Sequence, residues 1–276
     1  MAEDLATLVA GAHALGIALN PEQQARFVAY GELLLEWNER INLLGPAAVL
    51  TLWSRHLLDA LTITAALPTA LADTTMAQAV LDVGSGAGLP GIPLQIAFPA
   101  WQVTLLEATG KRATFLELAT AALELGNVQV LKGRAEDLAH DGDYREAFDL
   151  CVARAVTNAA GLVELTLPFV AVGGSVILYK SLGGLGDELQ AAETARVLLG
   201  AGAPSVVPLS GDLDGRCLVR YQKLGRTPSQ LPRATGIPER RPLTQADAAR
   251  IAAEQVAARE RREARKAQRP RNRRRR

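Results

Sequence analysis

The stretch that most constrains this chain is Ala79-Val80-Leu81-Asp82-Val83-Gly84-Ser85-Gly86-Ala87-Gly88-Leu89-Pro90-Gly91. Val80, Leu81 and Val83 form a short apolar run of buried-strand type, with Asp82 near its end. Three glycines then alternate with small residues, and a helix-like run from Ile92 to Phe98 follows. Strand, glycine turn and helix start make an α/β unit in which a ligand can touch bare backbone. A side chain in the turn would hold the ligand off and forbid positive φ. Four glycines in the eight residues 84–91 weaken a fold unless something requires them.

The rest of the chain supplies a sheet for that unit. Val103-Thr104-Leu105-Leu106 is expected as a second strand ending in Glu107, and Lys111 to Leu125 as a helix stopped by Gly126. Strands follow at Val128–Leu131 and Phe148–Arg154, a helix at Leu162–Val170, a turn at Gly173-Gly174 and a fifth strand at Ser175–Lys180. After a helix from Asp187 to Leu199, Ser205–Leu209 and Cys217–Lys223 read as a closing antiparallel pair. Repeated strand–helix units imply right-handed crossovers and a parallel sheet, with ligands at the carboxyl ends of its strands.

Residues 1–76 read as helical. Asn20 caps a helix with Pro21 at its first position, and Phe27, Tyr30, Leu34, Trp37 and Ile41 recur at helical spacing as a core stripe. A second helix is expected from Ala47 to Leu67, stopped by Pro68. It carries Arg55, His56 and Asp59, with Arg55 and Asp59 spaced as a surface i,i+4 pair. Residues 226–243 hold four prolines and read as extended linker. An alanine-rich helix with a capping-box-like start at Thr244 follows. It shows no stripe to bury, and from Arg259 onward it is basic and expected to be disordered when free.

Composition bounds the function classes. With 49% apolar and 21% charged residues the chain reads as globular. Its apolar runs fall well short of the roughly 18 residues a membrane span needs. Glu3 and Asp4, with no basic segment, do not read as a signal peptide. Cys151 and Cys217 are the only cysteines, lie far apart, and are expected as buried thiols in a reducing cytoplasm, not as metal ligands. The net charge of +1 hides an asymmetry: residues 239–276 carry +9 and the remaining 238 carry −8. An acidic body with a basic tail points to a polyanion partner reached by the tail.

Gly86 to Gly91 fits G-x-G-x-x-G, the dinucleotide fingerprint, a weak match by itself. Asp82 to Gly88 fits D-x-G-x-G-x-G, which resembles the first motif of S-adenosylmethionine (SAM)-dependent methyltransferases. The acid two residues before the first glycine favours SAM. Glu107, at a strand end 23 residues after Gly84, can accept hydrogen bonds from both hydroxyls of an adenosine ribose, a feature shared by NAD and SAM sites. Ala108 and Thr109 then lie against the adenine. Ala135 and Glu136 offer a backbone N–H and a carboxylate to its edge. Arg154 ends the fourth strand beside the place of a methyl acceptor.

Absences narrow the chemistry further. No Pro-Cys pair follows the fourth strand to attack a pyrimidine, and no Asn-Pro-Pro-Tyr or Asp-Pro-Pro-Tyr segment holds an exocyclic amine. Three scattered histidines give little general-base capacity, and no metal cluster is evident. This suits a nucleophile with no proton to lose, such as guanine N7, whose lone pair attacks a sulfonium methyl directly.

The chain resembles the RsmG (GidB) family of bacterial 16S rRNA guanine-N7 methyltransferases, over residues 20–243. The resemblance rests on Trp37-Asn38 to Asn42-Leu43, Arg55-His56-Leu57-Leu58-Asp59, Asp82 to Gly91 with Pro93, and Gly110-Lys111-Arg112. It continues through Arg134-Ala135-Glu136, Ala153-Arg154-Ala155 and Lys180. It closes with Arg226-Thr227-Pro228, Pro232-Arg233, Gly236-Ile237-Pro238 and Pro242-Leu243. Leu231 stands where the family's ending has tyrosine, and Leu89 where many members have phenylalanine. The resemblance implies a Rossmann-like class I methyltransferase fold with a mostly parallel seven-stranded sheet, an N-terminal helical extension (residues 1–76), a SAM-binding core (77–225) and an extended linker with basic tail (226–276). It implies SAM as cofactor, held by Gly84, Leu89, Glu107, Ala108, Thr109, Ala135, Glu136 and Arg154. The implied substrate is guanine 527 of 16S rRNA in the small ribosomal subunit. Arg154, Lys180 and His56 are the candidates for a catalytic role, with no metal. The expected setting is a monomer in the cytoplasm, away from membranes.

Two other classes stay open on the residues alone. An NAD(P)-dependent oxidoreductase would use Gly86, Gly88 and Gly91, but lacks a hydride-relay His, Lys or Tyr set, and Pro90 and Pro93 sit awkwardly in its helix start. A noncatalytic RNA-binding module explains the tail but leaves the glycine loop without work.

Overall fold

A computed structural model describes residues 2–71, 73–154 and 156–268. Seven strands form one sheet: β1 (Ala79–Val83), β2 (Gln102–Glu107), β3 (Val128–Lys132), β4 (Phe148–Arg154), β5 (Val170–Ser181), β6 (Ser205–Pro208) and β7 (Arg216–Gln222). Their order is β3-β2-β1-β4-β5-β7-β6. Strands β1 to β5 pair in parallel, and β7 enters antiparallel between β5 and β6. This is the mostly parallel seven-stranded class I methyltransferase sheet expected above. The order in which strands are added reverses between β1 and β4, while the strands stay parallel, so the two crossovers leave a crevice there at the carboxyl edge.

The sheet is covered on both faces, which is why its central strands read as continuous apolar runs. Side-chain alternation sorts them into two cores. Val80, Leu150, Val152, Ile177 and Leu218 point into a core shared with the N-terminal helices. Leu81, Cys151, Ala153, Val176, Leu178 and Val219 point into the opposite one.

On the first face lie α1 (Ala2–Ala14) and α2 (Pro21–Ile41). Asn20 and Gln23 close a reciprocal capping box at the start of α2, with Pro21 at its first position. Of the predicted stripe, Phe27, Tyr30 and Leu34 are fully buried and Trp37 and Ile41 partly so. Each fully buried large side chain is worth about 1.5–3 kcal/mol. The single helix expected over residues 47–67 is instead a succession: α3 (Pro46–Leu50), a π-helical segment (Leu52–Leu57), α4 (Leu58–Leu61) and a 3-10 turn (Thr62–Ala66). The wider π turn carries Arg55 and His56, and such segments recur at functional sites.

Helices α5 (Gly91–Ala97), α6 (Gly110–Ala122), α7 (Ala135–Leu138), α8 (Ala159–Thr166) and α9 (Leu185–Leu198) complete the layers. Strand β5 begins at Val170, ahead of the expected Ser175. Gly173-Gly174 forms a bulge in it, where the register against β4 shifts.

The C-terminal segment departs most from expectation. Residues 226–243 are not a free linker. Leu231 is fully buried, Arg233 pairs with buried Glu164 at 2.7 Å, and a short helix, α10 (Ile237–Arg240), packs on α8. The segment is a strap across the second face. The helix after it, α11 (Gln245–Gln268), runs past Arg259. It does bury a residue, Ile251, which joins Leu243 in the second core, and Gln245 donates to Thr194 on α9. Residues 269–276, the end of the basic tail, lie outside the described residues.

Candidate active site

The turn after β1 is anchored to β2, with the N–H groups of Gly84 and Ser85 donating to the Leu106 carbonyl at 2.8 and 3.1 Å. Gly84 has φ +72°, and a Cβ there would lie 2.5 Å from Val156 Cγ2. Gly91 also has no room for a Cβ, which would meet the Leu105 side chain and come within 2.9 Å of Asp82 Oδ2. That oxygen accepts the Gly91 N–H at 3.0 Å and so holds the first turn of α5. Asp82 is fully buried, and burial pushes its carboxyl up to about 7 against the help of the Gly91 hydrogen bond. Its Oδ1 has no hydrogen-bond partner.

Helix α2 clamps this turn from the other side. Tyr30 donates its hydroxyl to the Ala87 carbonyl at 2.7 Å, and Gln23 donates to the carbonyls of Ile96 and Ala97 at the end of α5. Neither role is a local pattern: Tyr30 reads in the sequence as core packing, and Gln23 carries no signal there. Leu89 turns its side chain into the first core, so the turn offers only its backbone at that position.

Glu107 stands at the tip of β2. Its Oε2 accepts the Gly86 N–H at 2.9 Å and its Oε1 the Thr109 N–H at 2.7 Å. Both oxygens are thereby fixed in direction, and each keeps a lone pair for a further donor. Ala108, Ala135 and Glu136 meet, with Gly84, around a narrow cavity of about 50 Å³ that Val156 and Glu239 close. Glu136 is committed there: its Oε1 accepts the Gly236 N–H at 2.7 Å and pairs with Arg134 at 3.2 Å, while Arg134 also holds Glu239. The strap therefore forms one wall of the cavity, a contribution that its reading as linker concealed.

The backbone cradle and the fixed Glu107 carboxylate fit the amino-acid end and the ribose of SAM. The narrow cavity beside them is bordered by Val156 and Glu239.

A larger cleft of about 490 Å³ opens at the tips of β4, β5 and β7. His56 and Arg154 line it, as do Asp59, Arg216 and Arg55. Asp59 is not the surface partner of Arg55. It is 1% exposed, and its Oδ2 pairs with Arg216 at 2.6 Å and Arg154 at 3.3 Å. Arg55 instead donates to the Asp212 carbonyl at 3.1 Å, tying the π turn to the β6–β7 connection. Burial first, then the Arg154 charge, pull the His56 imidazole down to about 4, so it is neutral at physiological pH. Lys180 is not brought to this cleft: its ammonium pairs with Glu188 at 2.5 Å. Asp59 and Arg216 were missed as site residues. One signal was present, a lone acid inside Leu57-Leu58-Asp59-Ala60-Leu61, which on a buried helix must find a cation. Among the described residues no cluster of three or more His, Cys, Asp or Glu could hold a metal.

The family profile of rRNA small subunit methyltransferase G matches residues 23–212. A protein of that name from Dehalococcoides mccartyi (strain CBDB1) is 44% identical over 238 residues, covering 86% of this chain and 98% of its own. Another, from Moorella thermoacetica, is 43% identical over 230 residues, covering 83% and 93%. Among solved structures, the fibrillarin pre-rRNA processing protein of Methanococcus jannaschii superposes with a TM-score of 0.45 at 14% identity, over 55% of this chain and 69% of its own. With a family profile that spans residues 23–212 and relatives matched along nearly their whole length, the chain belongs to the rRNA small subunit methyltransferase G family.

Proposed function

We propose that this chain transfers a methyl group from SAM to N7 of a guanine in 16S rRNA of the small ribosomal subunit. The observation that carries the reading is the juxtaposition, in a chain of this family, of the backbone cradle at β1 with the arginine-lined cleft at the tips of β4, β5 and β7. SAM supplies an electrophilic methyl on a sulfonium. The residues proposed to hold it are Gly84 and Leu89 through backbone, Glu107 through the ribose hydroxyls, and Ala108, Thr109, Ala135 and Glu136 around the adenine. Arg154 stands between cofactor and acceptor.

No residue needs to take a proton. Guanine N7 attacks with an in-plane lone pair, and neutral His56 leaves that lone pair without a competing acid. The work of the protein is to orient the base and exclude water. We assign His56 and Arg154 to positioning, and leave Lys180 to its pair with Glu188.

The division at residues 76 and 225 becomes a division of labour. The N-terminal helices clamp the glycine turn, the core binds cofactor, and the segment after 225 contributes strap and tail. No helix among the described residues is long and apolar enough to cross a membrane. A monomer acting in the cytoplasm completes the reading, and light scattering of the purified chain tests the monomer. The tail is the phosphate-binding arm. A chain ending at Gln268 therefore keeps its SAM affinity and target nucleotide, but its log affinity for rRNA falls less steeply with log salt. The slope change is at most about 4, at ~0.7 per phosphate lost for the six arginines after Gln268.

The deciding experiment is methyl transfer from labelled SAM to small subunits that lack the modification, with the product mapped by strand scission at 7-methylguanine. Label at one guanine of 16S rRNA is expected. SAM binding with no transfer to the subunit, or transfer to another atom, overturns the proposal.

A further inference from the structure

Asp59 is an anomaly in the acceptor cleft. It is 1% exposed, and one carboxylate oxygen is engaged by two arginines while the other, Oδ1, has no hydrogen-bond partner. A buried charged oxygen left unpaired is costly, so a position like this is expected to serve a ligand donor. The cleft that Asp59 lines, about 490 Å³, has room for a nucleotide, and its rim carries Arg55 and Arg216 for a phosphate backbone.

Resting on the methyl-transfer reading above, we propose that Asp59 Oδ1 is the group that selects guanine, by accepting hydrogen bonds from the N1–H and 2-amino group of its Watson–Crick edge. The chemistry is specific. Of the purines, only guanine presents two adjacent donors on that edge. Adenine would turn the lone pair of its N1 against the carboxylate. The edge bearing the 2-amino group lies across the purine from N7, so a base held by Asp59 leaves N7 uncovered on the side away from the carboxylate. Arg154 and Arg216 hold the other oxygen, Oδ2, and fix the direction of the carboxylate. A carboxylate accepts but cannot donate, which makes it a reader of donors alone.

The test replaces one exocyclic group. Small subunits are reconstituted from 16S rRNA carrying either guanine or inosine at the target nucleotide. Inosine keeps N7, O6 and N1–H and lacks only the 2-amino group. Wild-type enzyme is expected to lose about ten- to one-hundred-fold in kcat/KM on inosine, the range for a hydrogen bond to a charged group. In Asp59→Asn the guanine rate falls, and the inosine penalty shrinks to within about twofold, because the reader is gone. SAM affinity stays at the wild-type value in that variant.

Equal wild-type rates on guanine and inosine overturn the proposal, and so does an inosine penalty that survives in Asp59→Asn. If Asp59→Asn does not fold, the wild-type comparison alone decides. Absence of transfer to the guanine substrate is a different outcome, since it sinks the proposed function itself.

Discussion

At the tip of β1 the crevice is bordered by bare backbone, a glycine turn held by the Leu106 carbonyl, the Asp82 carboxylate and the Tyr30 hydroxyl. At the tips of β4, β5 and β7 the cleft is bordered by charged side chains: Arg154 and Arg216 meet on the Asp59 carboxylate, and Arg55 is tied separately to the Asp212 carbonyl. The glycine turn carries no charge of its own, with the Glu107 carboxylate beside it, and it fails when its shape fails. The cleft is charged and fails when one charge is removed. A cofactor shared by many enzymes can be met by backbone geometry, whereas one nucleotide in one RNA requires side chains whose charges and donors are placed individually.

The sharpest way to break the contrast is Gly84→Val. A β-branched residue at φ +72° is strained, and its Cβ would overlap Val156. SAM binding should disappear in isothermal titration while circular dichroism shows a folded chain. Retained affinity would mean that the cradle is not backbone-built.

Next in size is Asp59→Ala. It leaves Arg154 and Arg216 without their buried partner and should cost about 3–5 kcal/mol in denaturant unfolding. SAM affinity, measured on the folded fraction, should change less than about twofold, because the cradle does not use Asp59. A large drop would show that the two ends are one unit.

Glu107→Ala tests the one side chain on which the cradle relies. It should weaken SAM by about 1.5–3 kcal/mol, and S-adenosylhomocysteine equally, since both carry the ribose. A variant that separates the two ligands would place Glu107 at the methionine end instead.

The last test concerns Asp82 and is read as a change with pH. Its folded carboxyl titrates near 7, raised by burial from 3.8 in the unfolded chain. Between those values the folded state keeps a proton that the unfolded state has released, so stability falls as pH rises through the window. Asp82→Asn has nothing to titrate. The variant's stability relative to wild type should therefore improve from pH 5 to pH 8, by about 2–3 kcal/mol. An unchanged difference across that range would show that Asp82 is ionised throughout.

Legibility follows the same contrast. The cradle, the strands and the acid at the end of β2 are local patterns, and each was readable from a dozen residues. The register of β7 and the π turn were not, because they depend on packing partners far along the chain. Arg154 could be placed at a strand end, but its partner Asp59 lies 95 residues earlier. The i,i+4 spacing of Arg55 and Asp59 drew attention to the wrong pair. Four prolines made residues 226–243 look like linker. Proline only forbids regular ladders, and side chains from elsewhere can still hold such a segment.

One of those side chains is Arg145. Its guanidinium donates to the carbonyls of Thr227, Pro228 and Leu231 in the strap, and to that of Ala139 at the end of α7. Every amino acid has a carbonyl, so this fastening sets the path of the strap and does not depend on which side chains stand at 227, 228 and 231. Arg145 has no such freedom. Lysine brings three donors on a point charge in place of a planar fork, and could not reach four carbonyls at once.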